Sequence, residues 1–236
     1  MMTLIDDYSR KCWVYFLEHK NEALEKFKLW KVLVENQTGK TVKKLRTDRG
    51  LEFCSQDFKF FCAGNGIARH LTVPGTPQQN GVAERLNRTL LERARCMLSN
   101  AGLWERKFLW AEAISTASFL VNRSPYSFLN IEVPEEKWTG KPVDYSRIRI
   151  FGCPAYSHIS QDKLAPRAHK CIFLGYDSES KGYRLWPVSN SSKKLLISRD
   201  VTFDEKSLLP ATKVTIESPL TMKSRDLIES QRSYPE

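Results

Sequence analysis

The hydrophobic pattern of this chain changes near residue 126, and that change limits the folds open to it. Before residue 126, strand-like runs alternate with segments of helical periodicity, in the order strand pair, helix, strand, helix, strand, helix, helix. After it, short strand-like runs follow one another with turn residues between them. Alternating strands and helices predict a mixed α/β domain, whereas a series of short strands predicts a small β-barrel.

Local signals place the elements of the first part. Residues 3–17 are predicted to form a β-hairpin, because turn residues at 7–9 separate two apolar runs. Further strands are predicted at residues 41–47 and 67–73. The helices are predicted where apolar residues recur every three to four positions: at 21–35, in a short segment capped by Ser55, at 80–100 and at 107–121.

The second part begins after a stretch that contains three prolines. We predict a core domain at residues 1–125, a linker at 126–147, a barrel at 148–205 and a polar, disordered tail at 206–236. The barrel is predicted to contain five strands, at 148–151, 155–159, 169–175, 183–188 and 195–203. Turn-forming residues between these runs support the assignment.

The charge of the chain indicates the kind of partner. It carries 37 Lys and Arg residues against 27 Asp and Glu residues, a formal net charge of +10 with a pI near 9.3. Such a balance favours a polyanion, usually nucleic acid, over a small neutral substrate. The plain alternative is a solvated basic surface without a specific partner.

The six cysteines do not form a metal or disulfide framework in the sequence. There is no Cys-x-x-Cys pair and no histidine spacing of the zinc-finger type, so we expect buried, reduced thiols. The N-terminal residues lack the layout of a signal peptide, and no apolar run approaches the roughly 20 residues of a membrane span. A soluble, intracellular protein with no membrane partner is the expectation.

Asp48 and Glu84 are the candidate catalytic residues. Asp48 follows a predicted strand and Glu84 lies in the first turns of a predicted helix, so the two carboxylates can converge at one edge of a sheet. Two carboxylates can hold one divalent cation, but a two-metal site for phosphodiester chemistry needs further ligands. On spacing alone, a turn aspartate and a solvent-facing glutamate are the favoured explanation of the pair, because many α/β proteins of this size contain such residues.

The residues around Asp48 and Glu84 form two longer sequence motifs. Thr-Asp-Arg-Gly at 47–50 and Thr-Pro-Gln-Gln-Asn-Gly-Val-Ala-Glu-Arg-Leu-Asn-Arg-Thr at 76–89 resemble the catalytic core of copia-type LTR retrotransposon integrases, which are RNase H-like polynucleotidyl transferases. Residues 5–16 resemble the second and third strands of that core. Residues 149–156, 170–176 and 198–205 resemble the SH3-like barrel that follows it in these Pol polyproteins. The resemblance covers roughly residues 3–205.

The resemblance implies a fold and an activity. It predicts an RNase H-like mixed sheet with flanking helices, lacking its first strand, followed by a small all-β SH3-like barrel. The activity of the intact family is 3′-end processing and strand transfer of element DNA, with Mg²⁺ or Mn²⁺ as cofactor. DNA is then the partner, self-association is expected, and the location is nuclear by resemblance or otherwise cytoplasmic.

The resemblance also assigns residues. Asp48 and Glu84 match the second and third catalytic carboxylates, which are the metal ligands. The residues that match the mobile loop and the DNA-facing side of the helix are Gln79, Asn80, Asn87 and Arg88. An arginine beside a phosphate supplies salt-sensitive affinity rather than sequence readout.

Two departures from the family pattern bear on catalysis. Arg49 stands where the family usually has Asn, which adds positive charge beside the metal site. The family's first catalytic Asp lies on the strand before residues 5–9, and this chain begins after that strand. Asp6 and Asp7 are the acidic residues near this end, and the sequence leaves open whether either replaces the first Asp, although family geometry argues against it.

Absence of that carboxylate predicts a chain that is not catalytically competent by itself. The alternative of another class is a co-opted protein that binds DNA or associates with itself without catalysis. A basic α/β domain with an unrelated ligand is the remaining possibility.

Overall fold

A computed structural model describes residues 1–48, 50–72, 80–126, 131–158, 167–188 and 194–207. These residues form two compact units. The first contains residues 1–5 and 13–88, and the second contains residues 6–12 and the described residues from 89 onward. The architecture is mixed α/β, with a β-barrel in the second unit, as the hydrophobic pattern predicts.

The predicted N-terminal hairpin is confirmed. Strand β1 (Met2–Ile5) pairs with β2 (Cys12–Tyr15). The Asp6 carboxylate closes the turn, because its Oδ2 accepts hydrogen bonds from the backbone N–H and the hydroxyl of Ser9, both at 2.7 Å. Aspartate at the start of a turn commonly stabilises it in this way.

A second pair of strands in the first unit is parallel. Strand β3 (Lys44–Thr47) pairs with β4 (Ala68–Leu71), with Arg46 opposite His70. Both strands lie within their predicted limits but are shorter. Residue 73, the last of the predicted second strand, lies outside the described residues.

Three helices accompany these strands: α1 (Ala23–Thr38), α2 (Leu51–Cys54) and α3 (Gln56–Gly64). Helix α1 buries Phe27, whose ring stacks on Phe58 of α3 with centroids 5.3 Å apart. The predicted cap of α3 is confirmed, since the Ser55 hydroxyl accepts the Phe58 N–H at 3.3 Å. The short helix α2 was not predicted, because one turn is too brief to show helical periodicity.

Helix α4 (Gly81–Asn100) is the longest helix that the structure describes, and it matches its predicted limits. The sequence predicts that the apolar stripe of this helix consists of Val82, Leu86, Leu90, Ala94 and Met97, and Leu86, Leu90 and Ala94 are buried. The stripe continues at the same four-residue spacing to buried Leu98, whereas the predicted Met97 is only half-buried. None of the helices in the described part of the chain is long and apolar enough to cross a bilayer.

The second unit also holds α5 (Trp110–Asn122) and α6 (Pro134–Thr139). Helix α5, with the 3₁₀ turn Lys107–Leu109 before it, fits the helix predicted at 107–121. Helix α6 lies inside the predicted linker at 126–147. Proline at its first position and Gly140 at φ 68° after its end are typical helix boundaries.

The barrel consists of five antiparallel strands: β5 (Pro154–His158), β6 (Ala168–Tyr176), β7 (Tyr183–Pro187), β8 (Leu196–Ser198) and β9 (Val201–Phe203). Their order is β8-β7-β6-β5-β9. The outermost strands, β8 and β9, are joined only by Arg199 and Asp200, a connection that spans at most about 11 Å. The end of β8 therefore lies close to the start of β9, which brings the two edge strands together at this corner, and Phe173 and Leu185 are buried in the core of the barrel.

Two strand predictions for this region are wrong in detail. Residues 148–151 form no strand; Phe151 and Gly152 lie in a turn, with Gly152 at φ 84°. The run at 195–203 is two strands rather than one, because β8 pairs with β7 and β9 pairs with β5. The predicted limits of the domains remain a prediction, while the compact units divide between residues 88 and 89. Of the predicted tail, residues 208–236 lie outside the described residues.

Candidate catalytic and nucleic-acid-binding site

Asp48 lies directly after strand β3 and is exposed. The strand before it is anchored to β4, where the Thr72 N–H donates to the Thr47 carbonyl at 3.1 Å. The Gly50 N–H donates to Asp48 Oδ1 at 3.0 Å, which orients the carboxylate at the end of the sheet. The structure therefore places Asp48 where the sequence predicts it, at the C-terminal end of a strand.

Glu84 lies in the first turn of α4 and is exposed. A negative charge at this position interacts favourably with the free N–H groups of the helix N-terminus. Asn80 lies immediately before α4 and is half-buried, whereas Gln79 lies outside the described residues. Asp48 and Glu84 belong to the same compact unit, and both present their carboxylates to solvent.

The two other predicted DNA-binding residues differ in environment. Arg88 is exposed one helical turn after Glu84, so its guanidinium is available to an external anion. Asn87 is half-buried, and its Oδ1 accepts a hydrogen bond from the Thr3 hydroxyl at 2.7 Å. Asn87 therefore connects α4 to β1, a structural contact that helical spacing alone did not reveal.

Asp6 and Asp7 have partners within the hairpin turn. Asp6 accepts two hydrogen bonds from Ser9, and Asp7 Oδ1 lies 2.6 Å from Arg10 Nη1. Within the described ranges, no three or more His, Cys, Asp or Glu side chains are grouped so that they could hold a metal ion. Asp48 and Glu84 offer the oxygen ligands that Mg²⁺ prefers, but two carboxylates do not complete a two-metal site.

Exposed cations lie beside Asp48 at positions that the sequence motifs did not assign to the site. Strand β3 alternates exposed and buried residues, so that Lys44 and Arg46 are exposed together with Asp48. The signal was present in the sequence as alternating charged and uncharged residues at 44–48, a pattern typical of a half-buried strand.

Family models match both ends of the chain. The model described as "Integrase core domain" matches residues 1–77, and the model described as "Retroviral polymerase SH3-like domain" matches residues 153–217. The first match contains Asp48, and the second contains the barrel strands β5 to β9.

Relatives extend the similarity over most of the chain. The "Retrovirus-related Pol polyprotein from transposon TNT 1-94" of Nicotiana tabacum is 47% identical over 214 residues, which is 89% of this chain and 16% of the polyprotein. The corresponding polyprotein from transposon RE1 of Arabidopsis thaliana is 32% identical over 94% of this chain and 15% of its own length. The chain thus spans about a sixth of these relatives.

A solved structure is also similar to this chain. It is the cryo-EM structure of the simian T-cell lymphotropic virus intasome in complex with PP2A regulatory subunit B56 gamma. The TM-score is 0.47, at 16% sequence identity over 84% of this chain and 70% of that one.

Proposed function

The chain belongs to the copia-type retrotransposon Pol polyproteins, as their integrase core and SH3-like region, and on that premise we propose that it binds DNA and takes part in DNA integration. The observation that carries the proposal is the placement of Asp48 and Glu84. Both are exposed in one compact unit, one at a strand end and the other in the first turn of α4. The net charge of +10 suits a polyanionic substrate.

Asp48 and Glu84 are the residues that would hold Mg²⁺ or Mn²⁺. When bound, such an ion polarises a phosphodiester and stabilises charge on its oxygens. Arg88 would contact DNA phosphates beside this position, and Asn80 would lie at the entrance to the helix. Gln79 is proposed for the same loop on the family motif alone.

We propose further that this chain does not join DNA ends unaided. In support of this proposal, no group of three or more His, Cys, Asp or Glu that could hold a metal ion is found among the described residues, and a bridged metal pair needs more ligands than Asp48 and Glu84 supply. The same observation favours the second candidate function, a DNA-binding or self-associating protein without catalysis. The two candidates differ in whether an integrase assembly that contains this chain uses its carboxylates.

The test uses the full purified chain and labelled duplex DNA with Mn²⁺. We expect salt-sensitive DNA binding and no joining of DNA ends. In a separate binding assay without divalent cation, Glu84→Gln should retain binding within about twofold, because a carboxylate makes no phosphate contact without a bridging cation. Joining of DNA ends that disappears in Asp48→Asn would contradict the proposed lack of autonomous activity. Absence of DNA binding even at low salt would contradict the proposed function itself.

Assembly of this chain with an intact integrase distinguishes the two candidate functions. If the chain contributes carboxylates to an integrase assembly, Asp48→Asn introduced into that assembly should lower its joining activity, whereas the wild-type chain should not. If it acts only by association, the wild-type chain and Asp48→Asn should inhibit a related intact integrase equally.

A further inference from the structure

Strand β3 presents a row of cations that leads to Asp48. Leu45 and Thr47 are buried, whereas Lys44 and Arg46 are exposed on the alternate positions, and Asp48 is exposed at the next. Alternate residues of a strand point to the same face and lie about 6.6–6.8 Å apart. The row therefore consists of two cations at regular spacing, followed by the candidate catalytic carboxylate.

The parallel register adds a third polar side chain. His70 of β4 lies opposite Arg46, and Ala68 lies opposite Lys44; both β4 residues are exposed. Neighbouring strands are about 4.8 Å apart, so His70 stands beside Arg46 within reach of the same ligand. We call the surface formed by Lys44, Arg46 and His70 the β3 basic face.

The charges of the β3 basic face are not compensated within the described part of the chain. No Asp or Glu there lies within ion-pair distance of Lys44, Arg46 or His70. On α1 of the same unit, by contrast, Lys28 pairs with Glu25 at 2.7 Å and Lys31 pairs with Glu35 at 2.8 Å. Lys28 and Lys31 are thus neutralised within α1, whereas Lys44 and Arg46 of β3 face solvent.

The chemistry of the face selects among possible partners. The exposed apolar residue opposite Lys44 is Ala68, and its side chain is too small to anchor a protein interface or to insert into a lipid bilayer. What the face offers is positive charge at intervals along a line, which is the chemistry that recognises a sugar–phosphate backbone. Its position next to Asp48 directs such a backbone towards the candidate catalytic carboxylate.

We propose that the β3 basic face binds the DNA backbone adjacent to the phosphodiester held at Asp48. Lys44 and Arg46 are positioning residues that contact phosphates, and His70 adds a hydrogen-bonding group beside Arg46. This inference rests on the proposed function, because it names the surface by which the chain aligns DNA with Asp48. Contacts of this kind contribute affinity and register without reading sequence.

The test measures DNA affinity by fluorescence anisotropy as a function of salt concentration. The variant Lys44→Gln/Arg46→Gln removes two charges from the face. The control Lys20→Gln/Lys59→Gln removes two charges from exposed positions of the same unit that lie off the face. All four substitutions are at exposed side chains, and circular dichroism would verify that each variant is folded.

Each phosphate contact contributes about 0.9 to the slope of log affinity against log salt for duplex DNA. We therefore expect the slope of Lys44→Gln/Arg46→Gln to fall by about 1.8 relative to wild type, with affinity at least about tenfold lower at 0.1 M salt. The loss should be equal for unrelated sequences. Arg46→Lys, which keeps the charge, should retain most of the slope.

The outcomes separate the inference from the proposed function. Equal slopes and affinities for the face variant and the control, with wild-type binding intact, would overturn the role of the β3 basic face alone. Failure of the wild-type chain to bind DNA at any salt would overturn both. A loss confined to one DNA sequence would contradict backbone contact and so count against the inference.

Discussion

Arg184 of β7 and Glu112 of α5 form a bidentate ion pair that is nearly excluded from solvent. Arg184 Nε donates to Glu112 Oε2 at 2.7 Å and Nη2 donates to Oε1 at 2.6 Å, and the residues are 8% and 4% exposed. Arg184 Nη1 also lies 3.6 Å from Asp177. Helix α5 belongs to the predicted core domain and β7 to the predicted barrel, so this pair joins segments that the sequence assigns to different domains.

Breaking this pair should destabilise the second unit. We expect Glu112→Ala to lower the free energy of unfolding by about 3–5 kcal/mol, because it removes both charge-assisted hydrogen bonds that Glu112 accepts from the buried Arg184 guanidinium. Urea unfolding followed by tryptophan fluorescence would measure the loss. Glu105→Gln, at an exposed position of the same unit, is the control and should change stability by less than about 0.5 kcal/mol. A similarly small effect of Glu112→Ala would show that the pair contributes little.

Gly152 should not tolerate a side chain. A Cβ at this position would lie 2.2 Å from the Ala101 Cβ, and the backbone has φ 84°, which disfavours residues other than glycine. Gly152→Ala should therefore cost at least about 2 kcal/mol of unfolding free energy. Gly64→Ala is the matched control, since nothing lies within 4 Å of its Cβ position, and it should be neutral or slightly stabilising. Thermal unfolding of the two variants gives the comparison, and equal melting temperatures would refute it.

The buried thiols of the barrel should resist ionisation. Burial raises the pKa of Cys153 to about 12 and that of Cys171 to about 11, from a usual value of 9.0. We expect a thiol reagent at pH 8 to label exposed Cys96 rapidly and these two cysteines only after unfolding. Rapid labelling of Cys153 in the folded protein would contradict the barrel packing.

The same shifts predict how stability depends on pH. A thiol whose pKa is raised on folding keeps its proton in the folded state after the unfolded chain has lost it. The contribution of the buried Cys153 thiol to the free energy of unfolding is therefore complete below pH 9.0. It decreases as the pH rises from there towards about 12. Urea unfolding between pH 8 and 11 measures the decrease, and Cys153→Ala should reduce its slope.

Substitutions of the neighbouring residues Asn87 and Arg88 should affect different properties, the first protein stability and the second DNA binding. The Asn87 side chain accepts the Thr3 hydroxyl, so Asn87→Ala should lower stability by about 1 kcal/mol. Arg88 is exposed, and Arg88→Ala should weaken DNA binding and reduce its salt slope by about 0.9 while leaving the melting temperature unchanged. Thermal unfolding gives the melting temperature of each variant, and fluorescence anisotropy gives its DNA affinity. The reverse assignment, with Asn87→Ala affecting only binding, would contradict the hydrogen bond to Thr3.

Local sequence patterns predicted much of the architecture. Local sequence was sufficient to predict the hairpin turn at Asp6, the helix cap at Ser55 and the limits of α4. Each of these features depends on residues within a few positions along the chain. The position of Asp48 at the end of a strand was predicted for the same reason. The Asp48 and Glu84 motifs also indicated the family, which the family models and relatives then confirmed.

Other features required the tertiary structure, because they depend on neighbours that are distant in sequence. Residues 148–151 are apolar enough for a strand, yet Gly152 approaches Ala101 and the segment turns instead. The run at 195–203 divides into two strands because its halves pair with different strands of the barrel.

The sequence by itself determined the order of helices and strands, the basic charge and the family, since periodicity, composition and motifs are properties of the chain alone. The tertiary structure decided that Asn87 contacts β1, that Glu112 binds Arg184, and that Lys44 and Arg46 share an exposed face with Asp48. Burial and ion pairing are set by which surfaces fold together, and one segment's pattern does not specify its partner.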